Sequence, residues 1–463
     1  VEVDERLRAA EQAAQATPAD RREAWVDTVL IVAGVAGMAV HPHKITSDGR
    51  ARYDALTQLL STGTLSDNQY SLIGPLFATP LWLLAKLFGA DPATWLKQYN
   101  IVLFALGLLA TYLLLRDRVD TTLLRRFLLL LTAGSLVATH TVDFYGEMFT
   151  MVGVGVGVLA AVVHGPRWVN RAGWVAIMLG AANTPASLPG LGLVGAGQAV
   201  QTRRWRYAVA VLAGVLLVGG EAWLRRGSPF DSGYAGTYIA KTVMPYSGVD
   251  GFSYPFILGL FAILFSFGKG IVFYLPGIVL PVKGKLRGRY DPQRVDLYRA
   301  YVLWLLYTAG LVLVYASWWS WYGGMYFGPR FFLIGILPAS LALAAYLTSK
   351  TSSLLTNLAT LAVLALSVWI GADSAVFDEL WAWTCYENNW ALESLCHFTP
   401  DYSALWYPFV AKPQLNLGQL ARLTYYAVVF AWLATPLLAR IGQQTGRWLT
   451  ASVLPRFGRG WRF

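Results

Sequence analysis

Long apolar runs separated by short charged loops set the pattern of this chain. The runs fall at about 25–41, 98–115, 124–140, 148–164, 173–184, 187–200, 207–223, 254–282, 300–316, 330–347, 353–371 and 422–440. A bilayer core takes about 20 apolar residues of helix. The pattern therefore predicts an all-α polytopic membrane protein with about twelve transmembrane helices. Two of the runs, near 173–200, are short. They read as a helical pair broken at Asn183-Thr184-Pro185, which a membrane interior tolerates only beside protein or a cavity. The stretch 71–88 is also apolar, but Gly74-Pro75 and Thr79-Pro80 interrupt it. Proline removes a helix donor, so this stretch is expected to form juxtamembrane helices on the outer surface, within the first external loop.

The placement of positive charge tests that count. Arg116, Arg118, Arg125 and Arg126 share one loop region, and Arg167 and Arg171 the next on that side. Arg203, Arg204 and Arg206 follow, then Lys283, Lys285, Arg287, Arg289 and Arg294, and finally Arg440, Arg447, Arg456, Arg459 and Arg462. With 71–88 lying on the surface, all these clusters fall on one face. The positive-inside rule makes that face cytoplasmic, with both termini on it. The loops 42–97, 141–147, 224–253, 317–329 and 372–421 are then external. They are rich in Trp, Tyr, Pro and Gly and hold most of the isolated carboxylates. Long ordered loops tend to carry function, so the working face is expected outside the cytoplasm, in a plasma (inner) membrane.

Composition agrees. Hydrophobic residues make up 56% of the 463 and charged residues only 14%, against about 25% charged in soluble domains. The net charge of +11 sits in short loops between spans, so it reads as an orientation signal and not as a nucleic-acid surface. Residues 1–24 are charged, Ala-rich and without an apolar core, so they are expected to form a cytosolic or interfacial helix and not a cleavable signal peptide. Residues 25–440 form the transmembrane domain, and 441–463 a basic cytosolic tail. Cys385 and Cys396 share one external loop, where a disulfide is expected outside the cytoplasm, two unlinked thiols being the alternative.

Four constellations carry chemistry. The loop after the first span holds Ser47-Asp48-Gly49. Asp48 is either a general base for an acceptor hydroxyl, its pKa raised by partial burial, or the N-cap of a helix from about Gly49 to Leu60. In His140-Thr141-Val142-Asp143-Phe144-Tyr145-Gly146-Glu147, two carboxylates stand four apart at the mouth of a span. Asp143 and Glu147 could bind sugar hydroxyls, assist the base or hold a metal. Otherwise Asp143 caps the fourth span and Glu147 pairs with an external Arg. His140 alone reads as structural. Ser266-Phe267-Gly268-Lys269-Gly270 resembles a phosphate cradle, with backbone N–H groups and one point charge, or else a glycine kink whose Lys snorkels. The most specific run is Trp318-Trp319-Ser320-Trp321-Tyr322-Gly323-Gly324, ending in Gly328-Pro329-Arg330. Aromatic faces at Trp318, Trp319, Trp321 and Tyr322 suit sugar rings, and Arg330 suits a bidentate phosphate clamp. An interfacial aromatic belt is the alternative.

In their order, these motifs resemble the multispanning GT-C glycosyltransferases, nearest to bacterial members related to protein O-mannosyltransferases and the lipid A aminoarabinose transferase. The likeness covers most of residues 25–350. It implies a GT-C type fold and a polyprenyl-phosphate sugar donor, with Asp48 as catalytic base and inversion by single displacement. It also implies that Lys269 and Arg330 contact the donor phosphate, and that Asp143 and Glu147 grip sugar or acceptor. Asp48 lacks the adjacent acidic residue of the protein mannosyltransferases, and no DxD pair surrounds it. No metal ligand is assigned on that basis and no cofactor is expected, though a divalent metal is not excluded. A large C-terminal soluble domain is not expected, and acceptor recognition is expected in the loops.

The expected function is transfer of a sugar from a polyprenyl-phosphate donor to a hydroxyl of a lipid, glycan or protein acceptor on the extracytoplasmic face. The alternatives are a lipid or polysaccharide transporter or flippase, and a glycan ligase.

Overall fold

The computed structural model of the chain describes residues 17–234, 244 and 251–452. Among these residues the structure is helical, with no strand beyond the isolated bridges Val119–Tyr290 and Val163–Val295. Seven helices are long and apolar enough to cross a membrane: Asp20–Val40, Pro92–Leu115, Tyr207–Arg226, Leu297–Tyr315, Arg330–Leu347, Leu354–Val376 and Leu417–Trp448. The chain is a membrane protein on that ground. The remaining expected spans are shorter. Gly146–Val162, Arg167–Ala182 and Leu188–Thr202 have 17, 16 and 15 residues, or about 22–26 Å of helix. The pair near 173–200 is broken where expected, by a 3-10 turn over Pro185–Ser187.

The first helix starts at Pro18, behind a Thr17–Asp20 capping box, and runs through the expected boundary at 24/25 without a break. The last runs from Leu417 to Ser452, past 440. The expected helix over 1–16 and the Arg456–Arg462 part of the tail lie outside the described residues. The stretch 71–88 forms only Ile73–Leu76 and Thr79–Leu87, too short to cross.

Two expected spans, 124–140 and 254–282, are not single helices: the first divides into Thr121–Ala133 and Val137–Thr141. Within 254–282 the chain forms Phe256–Phe265, an irregular turn at 266–270, Ile271–Tyr274 and a 3-10 turn over Pro276–Val279. Gly277 lies against the backbone of Ala339 with no room for a Cβ.

The basic loops meet at one end of the bundle. Asp120 N–H donates to Arg289 O (2.7 Å), Asp291 N–H to Arg118 O (2.9 Å) and His164 N–H to Arg294 O (2.8 Å). Lys285, Arg289 and Arg440 reach the 347–352 loop there. The loops rich in aromatics and carboxylates gather at the other end. There Lys44 N–H meets Val142 O (2.9 Å) and Tyr254 N–H meets Ser317 O (3.0 Å).

The first helix also buries a charge inside a run that reads as apolar. Asp27 is fully buried, 3.0 Å from Arg126 and 3.5 Å from Arg125, and accepts from the Trp432 indole at 2.8 Å. Arg126 lies 5.2 Å from the Trp432 ring. The network ties the first helix to the Thr121–Ala133 helix and the last. Removing one partner of a buried pair typically costs about 3–5 kcal/mol because the other charge is stranded. Asp27→Ala is therefore expected to lower stability by about that amount, read as a drop in the unfolding midpoint of the detergent-purified protein.

Candidate active site

Asp48 stands in the first turn of the Ser47–Thr62 helix. It does not cap that helix: the N-cap is Thr46, which makes no side-chain cap bond. Ser47 adopts φ 46°, a left-handed conformation that costs a non-glycine residue about 1–2 kcal/mol. Two clips hold this turn. The Tyr326 hydroxyl donates to Ser47 Oγ at 2.9 Å. The buried Asp143 carboxylate accepts from Thr46 N–H (3.1 Å), from the Thr46 hydroxyl and from Phe144 N–H (2.7 Å). Asp143 thus fastens the segment carrying Asp48. It neither caps the Gly146–Val162 helix, whose N-cap is Tyr145, nor faces an open site, being 1% exposed.

Arg330 supplies the centre. Its guanidinium meets Asp48 Oδ2 at 2.8 Å and Glu147 Oε1 at 3.5 Å. Its Cζ lies near two rings, 3.9 Å from the Tyr326 centroid and 5.0 Å from that of Phe331. Gly323, Gly324 and Gly328 all have positive φ, which lets the preceding chain double back so that Arg330 points at the first loop. Asp48, Glu147 and Arg330 come from three separate segments, and their side chains are 19%, 13% and 9% exposed. They form one small, nearly dry cluster.

The expectation that burial raises the pKa of Asp48 is corrected. Burial does push its carboxyl up, but the Arg330 guanidinium, the Tyr70 hydroxyl and Arg52 more than offset it and hold it below the ordinary carboxylate value. Asp48 is thus ionised at neutral pH and a weaker base than an isolated carboxylate while Arg330 stays bound. Tyr70 is pushed the other way, by burial and by Asp48, and keeps its proton. Its loop is clamped from the Tyr207–Arg226 helix. Arg225 donates to Ser66 O (2.7 Å), Tyr70 O (2.6 Å) and Asn68 O (3.0 Å), while Glu221 accepts from Ser71 Oγ and Leu72 N–H, each at 2.6 Å.

Lys269 is not at the surface of this cluster. Its ammonium donates to the carbonyls of Gly324 (3.0 Å), Tyr326 and Gly328 (3.2 Å), and it is buried near the Trp381 ring. An ammonium has three N–H donors, and all three are engaged here. The residue expected to touch phosphate is a strut beneath the loop that presents Arg330. Lys269→Met leaves three carbonyls without a donor. At about 1 kcal/mol each, it is expected to lower stability by roughly 2–3 kcal/mol, measured by thermal unfolding in detergent.

The aromatic run divides. Trp321 and Tyr322 are buried, with ring centroids 5.9 and 4.7 Å from His397. His397 belongs to a cap formed by Leu380–Trp390 and Glu393–Phe398, which a Cys385–Cys396 disulfide joins. The disulfide forms, as the shared loop suggested. The faces of Trp321 and Tyr322 are therefore covered by protein. Trp318 packs edge-on against Tyr234 and Phe252, at 5.5 and 5.4 Å, and lies 6.5 Å from Trp319. Tyr315 and Phe331, stacked on each other at 4.0 Å, line a narrow gap beside Glu147. Tyr70, Tyr326 and Arg52, which complete the surroundings of Asp48, were not singled out from the sequence, although they lie inside its notable loops. Among the described residues, no three His, Cys, Asp or Glu side chains come together as a metal site.

No family model and no curated protein sequence matches this chain. Among solved structures, the chain is similar to the crystal structure of ArnT from Cupriavidus metallidurans in the apo state, at 14% identity and a TM-score of 0.46, covering 90% of this chain and 78% of that one. A likeness of that strength carries no argument, and the reading of the site rests on its own residues.

Proposed function

We propose that the protein is a GT-C type membrane glycosyltransferase that moves a sugar from a polyprenyl-phosphate donor to an acceptor hydroxyl. The observation that carries this reading is the Asp48–Arg330–Glu147 cluster: a base and an anion-binding group within one hydrogen bond, beside a second carboxylate. The end of the bundle opposite the basic loops is extracytoplasmic in this reading. A lipid-linked donor needs no nucleotide there.

The acceptor O–H gives its proton to the Asp48 carboxylate as its oxygen attacks the anomeric carbon. The bond from that carbon to the phosphate oxygen breaks, and polyprenyl phosphate leaves with the electron pair. Attack opposite the leaving group inverts the anomeric centre. Arg330 stabilises the charge that grows on the leaving phosphate. As the phosphate draws on the same guanidinium, Asp48 loses part of the partner that depresses its basicity. The donor thereby helps to ready the base that attacks it. Lys269 holds the Arg330 loop in place, and Asp143 holds the Asp48 turn.

The test is purified protein with a panel of synthetic polyprenyl-phosphate monosaccharides and mass-spectrometric detection of released polyprenyl phosphate. Release, with transfer or by slow hydrolysis, supports the reading. Movement of intact donor across a vesicle membrane without cleavage would replace it with transport.

A further inference from the structure

A second guanidinium stands close to Asp48. Arg52 lies four residues further along the Ser47–Thr62 helix, a spacing that puts both on one face. The Asp48 carboxylate nevertheless turns to Arg330, at 2.8 Å. Arg52 is 7% exposed and, among the described residues, forms an ion pair with no carboxylate. Its contacts are one long bond from Nη1 to Ser71 O, at 3.5 Å, and the Tyr70 ring, 4.7 Å from Cζ to the centroid. Its Nε has no partner. Arg225, as deeply buried, instead donates to Glu221 and to the carbonyls of Ser66, Asn68 and Tyr70. A buried charge left as Arg52 is left is costly unless an anion meets it.

The guanidinium is aimed at the start of another helix. A Cβ on Gly146 would come within 2.6 Å of Arg52 Cζ, 2.7 Å of Nη1 and 2.8 Å of Nη2. Gly146 opens the 17-residue Gly146–Val162 helix, whose N-cap, Tyr145, makes no side-chain cap bond. The first N–H groups of a helix have no partner within it and carry partial positive charge. An unpaired guanidinium and an uncapped helix start thus converge at Gly146, next in sequence to Glu147.

From this convergence we propose that Arg52 and the start of the Gly146–Val162 helix bind the phosphate of the lipid-linked donor, a deepening that rests on the function proposed above. Charge decides between the two guanidiniums. Arg330 already faces two carboxylates, Asp48 at 2.8 Å and Glu147 at 3.5 Å. Arg52 contacts none. A phosphate supplies what both Arg52 and the helix start lack, an anion with several acceptor oxygens. The absent side chain at Gly146 is what lets the guanidinium approach the helix so closely. The two arginines then act at different stages. Arg52 and the helix hold the phosphate in the ground state, and Arg330 engages it as charge grows on the leaving group.

The experiment measures binding, so that it does not depend on turnover. Dissociation constants for polyprenyl phosphate and for neutral polyprenol of the same chain length are compared on wild type, Arg52→Gln, Arg52→Lys and Gly146→Ala. Gly146→Ala keeps every charge and a helix-favouring residue, and its methyl group displaces only the flexible tip of Arg52. It therefore tests position separately from charge. Arg52→Gln is expected to weaken polyprenyl phosphate about tenfold to a hundredfold, the scale of hydrogen bonds to a charged group. Gly146→Ala should weaken it about tenfold, and Arg52→Lys should recover part of the loss, since an ammonium keeps the charge but not the fork. All three should bind polyprenol within about twofold of wild type. Equal weakening of both lipids would make Arg52 a structural brace, and no change in either would put the phosphate elsewhere; each result overturns the assignment. Inorganic phosphate that displaces polyprenyl phosphate at comparable concentration would overturn it in favour of a free anion. Arg52-dependent binding of polyprenyl phosphate, without its release from a sugar-linked donor by wild type, would instead overturn the transferase reading and keep the phosphate site.

Discussion

Replacing Arg330 with alanine is expected to reduce release of polyprenyl phosphate by about 10³-fold, the scale for removing a main stabiliser of transition-state charge. The size follows from its position. One guanidinium serves Asp48 at 2.8 Å and Glu147 at 3.5 Å, and it is held beside the Tyr326 and Phe331 rings. Arg330→Lys is expected to recover only a small part, because an ammonium has no planar fork to share between carboxylate and phosphate. The pH profile provides a second readout. Asp48 must be ionised to act, and in the wild type its pKa is depressed below the ordinary value. The acid limb of kcat/KM should therefore lie below the ordinary carboxylate range. Arg330→Ala removes the main opposing charge and leaves burial, which raises the pKa, so the residual activity should lose its acid limb at higher pH. The same sign applies to stability. The Asp48 ion pair contributes above the unfolded pKa, and that contribution is lost as pH falls through the depressed folded value.

Asp48→Asn is expected to lower turnover by about 10²–10⁴-fold, the usual contribution of a positioned general base. The substitution keeps shape and leaves the turn intact, since Thr46, Asp143 and the Ser47–Tyr326 bond hold it without using the Asp48 carboxylate. Asparagine does not hold the Arg330 charge as a carboxylate does, so the guanidinium is freer to meet the donor. Donor affinity is expected to stay within a few-fold of wild type or to tighten. A drop in turnover without a drop in binding separates a lost base from a lost site.

Much of this architecture is written in hydropathy and charge. The long helices follow apolar runs, and the break at Asn183-Thr184-Pro185 follows from proline. Loops sharing Arg and Lys, such as 116–126 and 283–294, meet at one end of the bundle as their common sign suggests. Asp48, Glu147 and Arg330 were each visible as a polar residue in an unusual loop, and the structure brings them together. What the sequence did not reveal depends on where backbone groups point. Lys269 looked like a phosphate ligand because glycines flank it, but its three partners are carbonyls more than fifty residues away. Asp143 looked like a ligand or a cap for the helix after it, yet it holds a turn 97 residues upstream. Trp321 and Tyr322 looked like open platforms, and the disulfide-bonded cap covers them. The irregular segment near 266–280 and the buried Asp27 both sit in runs whose average hydropathy hides them. The fall in the Asp48 pKa needed the distance to Arg330, which spacing along the chain does not encode.

The most direct test takes one preparation each of wild type and Asp48→Asn and measures donor binding and polyprenyl phosphate release on the same samples. The account predicts that both proteins bind the polyprenyl-phosphate monosaccharide comparably and that only the wild type releases polyprenyl phosphate at an appreciable rate. Release by Asp48→Asn at the wild-type rate would remove Asp48 from the chemistry and contradict the account.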